Sequence, residues 1–369
     1  MGHDDDMVAR VTLQTVADRV GVSRTTVSNA YNRPDQLGDE LRDLILGAAK
    51  ELGYRGPDAA GRMLRTGRMG AIGLLFTEDL RFVFTDPDTT QFMQGVAETS
   101  ALAGTGLTLL PVPLGVDVSE TAVPYVAVDG YLVFSVPSDH PALETVLRQG
   151  KPIVVVDEPD LESATSFVGI DDRAGARLAA GHLLALGHRK IGILFGRLSL
   201  DQNPGQRSSS DVRDASVRVA RDRMCGYEDA LLESGIDSDA IIIWEGGGND
   251  PDSGRHAALD MLEKHPELTA LLCFSDQLAI GAAQAGLRLG RRLPDELSIV
   301  GFDDIPRAAT WDPPLTTVRQ PLIDKGRVAA ELLMEQIEVG GTRRIELPIE
   351  LVVRASTARL SDVQRSASG

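Results

Sequence analysis

Four polar residues near the amino end have the types and the spacing of a recognition surface. On a helix they would occupy positions i, i+1, i+4 and i+5 of one outward face: Arg24, Thr25, Ser28 and Asn29. An arginine can bond guanine through two hydrogen bonds, and an asparagine can bond adenine in the same way. This face predicts contact with the base edges of double-stranded DNA, and Asn32 is a fifth candidate one turn further on.

A helix-turn-helix would position these side chains. Thr12 and Ser23 are natural N-caps of two helices that meet at a turn containing Gly21, and a third helix is predicted from Asp39 to Leu52. In such a motif the second helix lies in the major groove, whereas exposed helix N-termini such as those at Thr12 and Ser23 bind phosphates. The helix pattern alone fits equally well a small helical hairpin whose polar face is only solvated.

The charge of the chain is divided unevenly. The whole sequence has a net charge of −17, which would repel a polyanion. Residues 8–69, however, carry ten Lys and Arg against seven Asp and Glu, whereas residues 70–369 carry 27 against 44. The amino-terminal segment is therefore mildly basic and compatible with DNA, and the remainder is acidic.

From residue 70 onward, continuous apolar runs alternate with amphipathic helical stretches. The runs are AIGLLF, GYLVFS, PIVVVD, SFVGID, KIGILFG, AIIIWEG, ALLCFSD and LSIVGFDD. Apolar strands that alternate with helices predict parallel sheets covered on both faces. About 300 residues exceed the usual size of one domain. The expected fold class is α/β, with a helix-turn-helix head followed by a core of two lobes.

The ends of the predicted strands carry candidate ligand-binding residues, because ligands bind beyond the carboxyl ends of strands in open parallel sheets. The candidates at these ends are Ser135, Asp157, Trp244, Ser275 and Asp303. Carboxylates accept hydrogen bonds from hydroxyl groups, and aromatic rings stack on sugar or base rings. This set therefore predicts a small hydroxyl-rich ligand such as a sugar or nucleoside.

Two segments outside this pattern bear on the same site. Four residues follow the first predicted strand, where they would face the ligand from one lobe: Phe82, Phe84, Asp86 and Asp88. Of these, Phe84 and Asp86 are the candidates. The polar stretch 197–221, rich in Ser and containing Pro and Gly, is expected to be a long mobile loop. Such a loop would be either a lid over the cleft or a disordered surface segment.

Several classes of protein are disfavoured. Cys225 and Cys273 lack CxxC spacing, so they support neither a disulfide framework nor a zinc site. Catalytic triad signatures and glycine-rich phosphate loops are missing, so we expect no enzyme activity, no cofactor and no metal. The sequence has no apolar signal core and no apolar run of roughly 18 residues. We therefore expect a cytoplasmic protein that does not enter a membrane.

The amino-terminal sequence also carries a family resemblance. VTLQTVADRVGVSRTTVSNAYN, followed by LRDLILGAAKELGY, resembles the DNA-binding head of the LacI/GalR family of bacterial transcription regulators. YRGPDAAGRMLRTGR resembles the family's hinge, in which a short helix pairs with that of a dimer mate and a leucine enters the minor groove. Leu64 occupies the leucine position. Because Gly61 weakens so short a helix by about 1 kcal/mol, we expect the hinge helix to form only on DNA.

The remainder resembles the family's effector domain, which is built like the periplasmic sugar-binding proteins. The matching segments are GHLLALGHRKIGIL, RMCGYEDAL, FSDQLAIGA, VGFDDIP and PPLTTVRQP. The resemblance implies that Arg223 and Asp303 hold the effector and that Asp157 is the acid closing its strand. Ser275 stands where many members carry Asn, and Leu322 where some carry an aromatic ring. Two structural alternatives remain: Arg223 and Asp303 could pair across the cleft, and Asp157 could cap a helix.

These observations together predict a regulator, specifically a repressor. A homodimer or higher assembly would bind a pseudo-palindromic operator, and an effector between the lobes would control that binding. Two alternatives are a sugar-binding protein or receptor without DNA function and an enzyme on the same scaffold. The predicted parts are a helix-turn-helix domain at 8–56, a hinge at 57–69, an effector-binding core at 70–357 and a flexible tail at 358–369.

Overall fold

The computed structural model describes residues 11–56, 67–113, 115–161, 165–198, 204–237 and 240–360. The chain divides into two compact units, Met1–Met69 and Gly70–Gly369. Residues 57–66 of the predicted hinge, which include Leu64, lie outside the described residues, as do residues 361–369 of the predicted tail.

Short helices form the described part of the first unit: α1 (Leu13–Val20), α2 (Arg24–Asn32) and α3 (Asp39–Glu51), with a 3-10 turn at Pro34–Gln36. Thr12 begins α1 because its hydroxyl accepts the N–H of Thr15. Gly21 ends α1 at φ 78°, a left-handed conformation that glycine adopts without strain. Ser23 accepts the N–H of Thr26 at 3.0 Å and begins α2. The residues buried between these helices are Val16, Ala17, Val27, Ala30, Ile45 and Ala49.

The second unit contains two sheets, and the first belongs to the N-lobe. Its strands are β1 (Ala71–Phe76), β2 (Gly106–Pro111), β3 (Tyr131–Phe134), β4 (Ile153–Val156), β5 (Ser166–Ile170) and β12 (Arg344–Leu347). They lie in the order β12–β5–β4–β3–β1–β2, and neighbouring strands are parallel. Strands β3, β4 and β5 are almost entirely buried, which explains their continuous apolar sequences.

The second sheet belongs to the C-lobe. Its strands are β6 (Ile191–Phe195), β7 (Gly205–Arg207), β8 (Ile242–Glu245), β9 (Ala270–Cys273), β10 (Ser298–Asp303), β11 (Thr316–Arg319) and β13 (Glu350–Val352). They lie in the order β13–β11–β10–β9–β6–β8–β7, and the edge strands β7 and β13 are antiparallel to their neighbours. Each buried Val, Leu or Ile of the central strands contributes about 1.5–3 kcal/mol.

Helices cover both sheets. They are α4 (Phe82–Thr85), α5 (Pro87–Leu102), α6 (Pro141–Arg148), α7 (Asp172–Ala185), α8 (Ser209–Arg213), α9 (Arg218–Glu233), α10 (Pro251–Lys264), α11 (Asp276–Arg288), α12 (Pro306–Thr310) and α13 (Leu322–Val339), with a 3-10 turn at Val118–Glu120. The head and the two lobes confirm the predicted fold class, and the hinge helix lies outside the described residues. Over the part of the chain that is described, no helix is long and apolar enough to cross a membrane.

The chain passes between the two sheets at several points within the described residues. One crossing leads from β5 to α7, a second leads from β11 to α13, and a third leads from β12 to β13. Each lobe therefore combines segments that are distant in the sequence. The carboxyl ends of strands from both sheets meet at the gap between the lobes.

Two predicted segments differ in the structure. The predicted loop 197–221 is not a long mobile loop in its described part, because it contains β7, α8 and the start of α9. Its segment is held by Glu245, which accepts hydrogen bonds from Arg207 Nε at 2.8 Å and from the N–H of Leu198 at 3.1 Å. The flexible tail was predicted to begin at residue 358, but residues 358–360 are packed on the C-lobe. His188 Nε2 contacts the carbonyl of Ala358, and Leu360 is only 6% exposed.

Close packing of α13 on α5 predicts a large effect of one methyl group. A Cβ on Gly326 would collide with the carbonyl of Phe92, whereas a Cβ on Gly181 of α7 would meet no atom of the described residues within 4 Å. We expect Gly326→Ala to lower the free energy of unfolding by about 1–3 kcal/mol or more, because the two helix backbones must separate.

The matched control, Gly181→Ala, should raise the free energy of unfolding by about 0.5–1 kcal/mol through reduced backbone entropy of the unfolded chain. Urea unfolding followed by circular dichroism measures both changes. Equal effects of the two substitutions would contradict the close approach of α5 and α13.

Candidate functional site

The structure agrees only in part with the DNA-contacting face predicted on α2. Arg24 and Thr25 are exposed at the start of α2, and Asn29 is half-buried. Ser28, in contrast, is only 8% exposed. The expectation that Ser28 points outward is therefore wrong, and the accessible polar face consists of Arg24, Thr25 and Asn29.

The helix N-termini of this unit are accessible to an anion. Thr12 and Ser23 are both exposed, and their hydroxyl groups cap α1 and α2. Asn32 is the last residue of α2, and the structure does not describe its side chain. Leu64 lies outside the described residues.

A cavity of about 1030 Å³, including space open to solvent, lies between the N-lobe and the C-lobe. Its charged lining residues are Glu78, Asp86, Asp88, Asp157, Glu158, Asp303, Arg197 and Arg223. Its aromatic lining residues are Phe76, Phe82, Phe134 and Phe274. Carboxylates and aromatic rings therefore surround the same space.

Arg223 is held in one orientation by the C-lobe. It is carried by α9 and is only 4% exposed. Its Nε donates to Asp172 Oδ1 at 2.8 Å, and its Nη1 donates to the carbonyl of Phe274. Its Nη2 lies 3.8 Å from Asp303 Oδ1, and its guanidinium carbon lies 3.5 Å from the ring centre of Phe302. Arg223 and Asp303 thus interact within one lobe, so the pair does not span the cleft.

A chain of buried polar groups connects the strand ends of the two lobes. Lys325 at the start of α13 is 0% exposed, and its Nζ donates to Asp157 Oδ1 at 2.7 Å and to the side-chain oxygen of Gln320. The amide nitrogen of Gln320 donates to Asp303 Oδ1 at 2.6 Å. Asp157 and Asp303 have positive φ angles of 64° and 108°, which non-glycine residues adopt at a cost of about 1–3 kcal/mol. Burial raises the pKa of Asp303 to about 6, although Arg223 opposes the rise.

A second carboxylate cluster faces the cavity from the N-lobe. Asp86 is only 4% exposed. Its Oδ2 accepts hydrogen bonds from the N–H of Thr89 at 2.8 Å and from the Thr89 hydroxyl at 2.7 Å, and so Asp86 caps the N-terminus of α5. Asp88 lies within hydrogen-bonding range of Asp303. Burial, together with the charges of Asp303 and Asp86, raises the pKa of Asp88 well above its usual range. Two carboxyl groups in contact favour a shared proton.

Further contacts join the lobes beside the cavity. Glu158, which follows β4, accepts the N–H of Arg218 at 2.6 Å and so caps the N-terminus of α9 from the opposite lobe. The side chain of Arg218 donates to the carbonyl of Asp157 at 3.0 Å. On another side of the cavity, Arg197 Nη2 donates to Glu78 Oε1 at 2.7 Å. Burial raises the pKa of Glu158 to about 7, although its N–H donors oppose the rise.

The structure brings together most of the predicted effector-binding residues. Those that line the cavity are Asp86, Ser135, Asp157, Arg223 and Asp303, and Leu322 lines it as well. Three predicted residues do not line it: Phe84, Trp244 and Ser275.

Each of the three departures has a structural reason. Phe84 is 70% exposed on α4, and Phe82, two residues earlier, occupies the cavity wall instead. Trp244 is 2% exposed and packs in the C-lobe core, where Lys264 Nζ lies 4.7 Å from its ring centre. Ser275 is 1% exposed and caps α11, while its hydroxyl donates to Asn249 Oδ1 at 2.5 Å. The assignment of these three residues to the cavity is therefore wrong.

Several cavity residues were not predicted from the sequence: Glu78, Glu158, Arg197, Asn249 and Gln320. Glu78 and Glu158 follow predicted strands by one or two residues, so a wider window around the strand ends would have included them. Lys325 lies behind the cavity and stands on a helix face that is otherwise apolar. The only sequence feature that could have indicated a role for Lys325 was its charge on an otherwise apolar helix face.

A helix-turn-helix unit followed by a two-lobed unit with a ligand-sized cleft defines a regulator that binds DNA. Residues 12–56 match the family described as bacterial regulatory proteins, lacI family, and residues 180–357 match a periplasmic binding protein-like domain. The chain therefore belongs to the LacI family of bacterial transcription regulators, as its resemblance implied.

A relative is the HTH-type transcriptional regulator Rv3575c of Mycobacterium tuberculosis (strain ATCC 25618 / H37Rv). The two are 41% identical over 351 residues, which cover 95% of this chain and 97% of that protein. Membership of this family confirms that the chain is a transcription regulator and not an enzyme.

Two solved structures extend the comparison. The transcriptional regulator CelR–cellobiose complex has a TM-score of 0.68 and 29% identity, and covers 94% of this chain and 100% of that chain. The lac repressor dimer bound to operator and the anti-inducer ONPF has a TM-score of 0.76 and 25% identity, and covers 94% of this chain and 99% of that chain.

The inter-lobe cap at Glu158 predicts a pH dependence of stability. The pKa of Glu158 is about 7 in the folded protein against 4.5 when unperturbed. The folded state therefore binds the extra proton, and its free energy of unfolding falls as pH rises from about 4.5 to about 7. Because glutamine does not titrate, we expect Glu158→Gln to lose less free energy of unfolding than the wild type, with a difference of up to about 3 kcal/mol at pH 8.

Thermal unfolding midpoints between pH 5.5 and 8.5 measure this dependence. The wild type should lose stability across the range more steeply than Glu158→Gln. Glu144→Gln, which alters an exposed pair with Arg148, is the matched control and should follow the wild type. Parallel pH profiles for the wild type and Glu158→Gln would contradict the effect of burial on this carboxyl group.

Proposed function

We propose that this protein is a repressor that binds a pseudo-palindromic operator as a homodimer, and that a hydroxyl-rich small molecule in the cleft controls its operator affinity. The observation that carries the proposal is the cavity between the lobes, in which fixed Arg223 and Asp303 stand beside four phenylalanine rings. The proposal places the protein in the cytoplasm, where its DNA would be.

The DNA-binding part rests on the accessible face of α2. Arg24 and Asn29 supply the donor and acceptor groups that recognise guanine and adenine, while Thr25 stands beside them. Thr12 and Ser23 place two helix N-termini toward phosphates. Asn32 remains a proposed contact at the margin of this face, and Leu64 is proposed as the residue that enters the minor groove.

The effector part rests on the chemistry of the cavity. Asp86, Asp157 and Asp303 accept hydrogen bonds from hydroxyl groups, Arg223 donates to oxygen atoms, and Ser135 can do both. The proposed ligand class is a sugar or nucleoside, and the CelR–cellobiose complex shows that a structural relative of this chain binds a sugar. A homodimer is proposed because the related lac repressor is a dimer on its operator.

The two parts are coupled in this proposal by the lobes. A ligand that contacts both lobes stabilises one arrangement of the gap and shifts the equilibrium between a DNA-bound and a released form. The reciprocal coupling free energy in such systems is about 1–3 kcal/mol.

The proposed DNA contacts predict distinct effects of two substitutions. Arg24→Ala should lower the preference for operator over random duplex by about 1–3 kcal/mol, because it removes a bidentate contact to guanine. Leu64→Ala should lower affinity for the operator more than affinity for random DNA, because only the kinked specific complex uses the wedge. Electrophoretic mobility shifts with operator selected from a random duplex library measure both effects.

Arg148→Ala, which alters an exposed residue of the N-lobe, is the control and should bind like the wild type. Failure of the library selection to enrich any sequence would overturn the proposed operator recognition.

The proposed effector site predicts a thermal shift that depends on Arg223. A library of sugars, nucleosides and polyols should contain a ligand that raises the unfolding midpoint, with about 2.7 kcal/mol of stabilisation when its concentration is 100 times Kd. Arg223→Ala should lose most of this shift, because the guanidinium is fixed beside the cavity.

The control for this experiment is Arg173→Ala. Arg173 pairs with Asp229 on the C-lobe surface. A ligand that shifts the wild type and Arg223→Ala equally would place the effector elsewhere.

A further inference from the structure

The strongest unexplained feature of the cavity is its excess of carboxyl groups. Six carboxyl groups and two guanidinium groups line it. Both guanidinium groups are already held by carboxylates of the protein, Arg197 by Glu78 and Arg223 by Asp172. Among the described residues, each of the two guanidinium groups is therefore already paired with a carboxylate, with only Arg197 Nε left without a hydrogen-bond partner, while several carboxylates remain.

The carboxylates of the N-lobe differ in how they are satisfied. Asp157 is neutralised by Lys325 at 2.7 Å, and Glu158 accepts the N–H of Arg218. At Asp86 and Asp88, by contrast, one oxygen of each carboxyl group, Oδ1, has no hydrogen-bond partner among the residues that the structure describes. Asp86 is 4% exposed, so its Oδ1 is buried and solvent does not satisfy it. Both residues line the cavity.

A buried acceptor without a donor costs free energy, and a ligand that supplies a donor recovers it. We infer that Asp86 and Asp88 form an N-lobe subsite that binds a hydrogen-bond donor of an uncharged effector and rejects effectors carrying phosphate or carboxylate. This inference rests on the proposed effector function of the cleft and specifies the ligand class for it.

The position of this subsite supports its role in selectivity. Asp88 of the N-lobe and Asp303 of the C-lobe line the same cavity and their carboxyl groups interact, so a ligand donor placed between them contacts both lobes at once. A hydroxyl group can donate to the paired carboxyl groups and replace the proton that they share. A phosphate at the same point would add negative charge to a cluster that already favours protonation.

The same geometry specifies a proton linkage. Donors of an uncharged ligand interact best with the ionised carboxylates, so binding releases protons from groups whose pKa is raised. Affinity for the neutral ligand should therefore fall as pH decreases through the raised pKa values of Asp86 and Asp88. The sign is set by the carboxyl groups, since the proposed ligand does not titrate.

Matched pairs of ligands test the inference directly. The probes are D-glucose, D-ribose, D-sorbitol, cellobiose and adenosine, together with glucose 6-phosphate, ribose 5-phosphate, sorbitol 6-phosphate, cellobiose 6-phosphate and adenosine monophosphate. Binding to the full chain is measured by thermal shift and then by calorimetry. We expect a neutral probe to bind, and its anionic counterpart to bind about 100-fold more weakly because like charges repel in a partly buried site.

Two variants isolate the subsite. Asp86→Asn/Asp88→Asn should reduce the preference for the neutral member to about 10-fold or less, and Asp88→Asn alone should reduce it in part while leaving the cap of α5 intact. Glu98→Gln/Glu144→Gln removes the same charge from exposed positions of the N-lobe and should preserve the full preference.

Each outcome decides one point. An anionic probe that binds as tightly as its neutral counterpart overturns the inference but leaves the effector function in place. A neutral preference that is unchanged in both Asp variants overturns the role of Asp86 and Asp88. Absence of binding by every neutral and anionic probe overturns the proposed hydroxyl-rich effector itself.

Discussion

A fully buried lysine ammonium constrains the whole ligand-binding unit. Lys325 is removed from water, so its charge must be balanced by acceptors at fixed positions, and removal of one partner from a buried pair costs about 3–5 kcal/mol. Its acceptors are Asp157 of the N-lobe and Gln320 at a crossing between the sheets. Gln320 in turn holds Asp303 of the C-lobe. The carboxylates on the two sides of the cavity are therefore positioned by one charge.

The lobes are joined by two further sets of contacts besides the Lys325 chain. The Lys325 chain lies where the polypeptide crosses between the sheets, whereas the cap of α9 by Glu158 and the pair between Glu78 and Arg197 join the lobes beside the cavity. Because α9 also carries Arg223, a change at its N-terminus alters the position of a cavity residue. One helix therefore takes part both in a contact between the lobes and in the wall of the cavity.

Much of the fold could be predicted, because apolar strands, helix caps and strand-helix alternation are local features of the sequence. Asp157 and Asp303 were predicted as cavity residues because the carboxyl ends of parallel strands meet. Trp244 was misplaced because the side of the sheet it faces depends on register. Glu158 required only a wider window around its strand end. Lys325 could not be assigned, since its burial arises only when segments from both lobes come together, and a lysine in a helix usually indicates a solvated face.

The crossings of the chain have a consequence for its synthesis on the ribosome. The N-lobe begins with β1 at Ala71, yet its sheet is completed by β12 at Arg344–Leu347. The C-lobe is completed by β13 only a few residues later. Neither lobe can therefore complete its sheet until nearly the whole chain has been synthesised. Premature termination upstream of residue 340 leaves two incomplete sheets with open edges rather than one complete lobe.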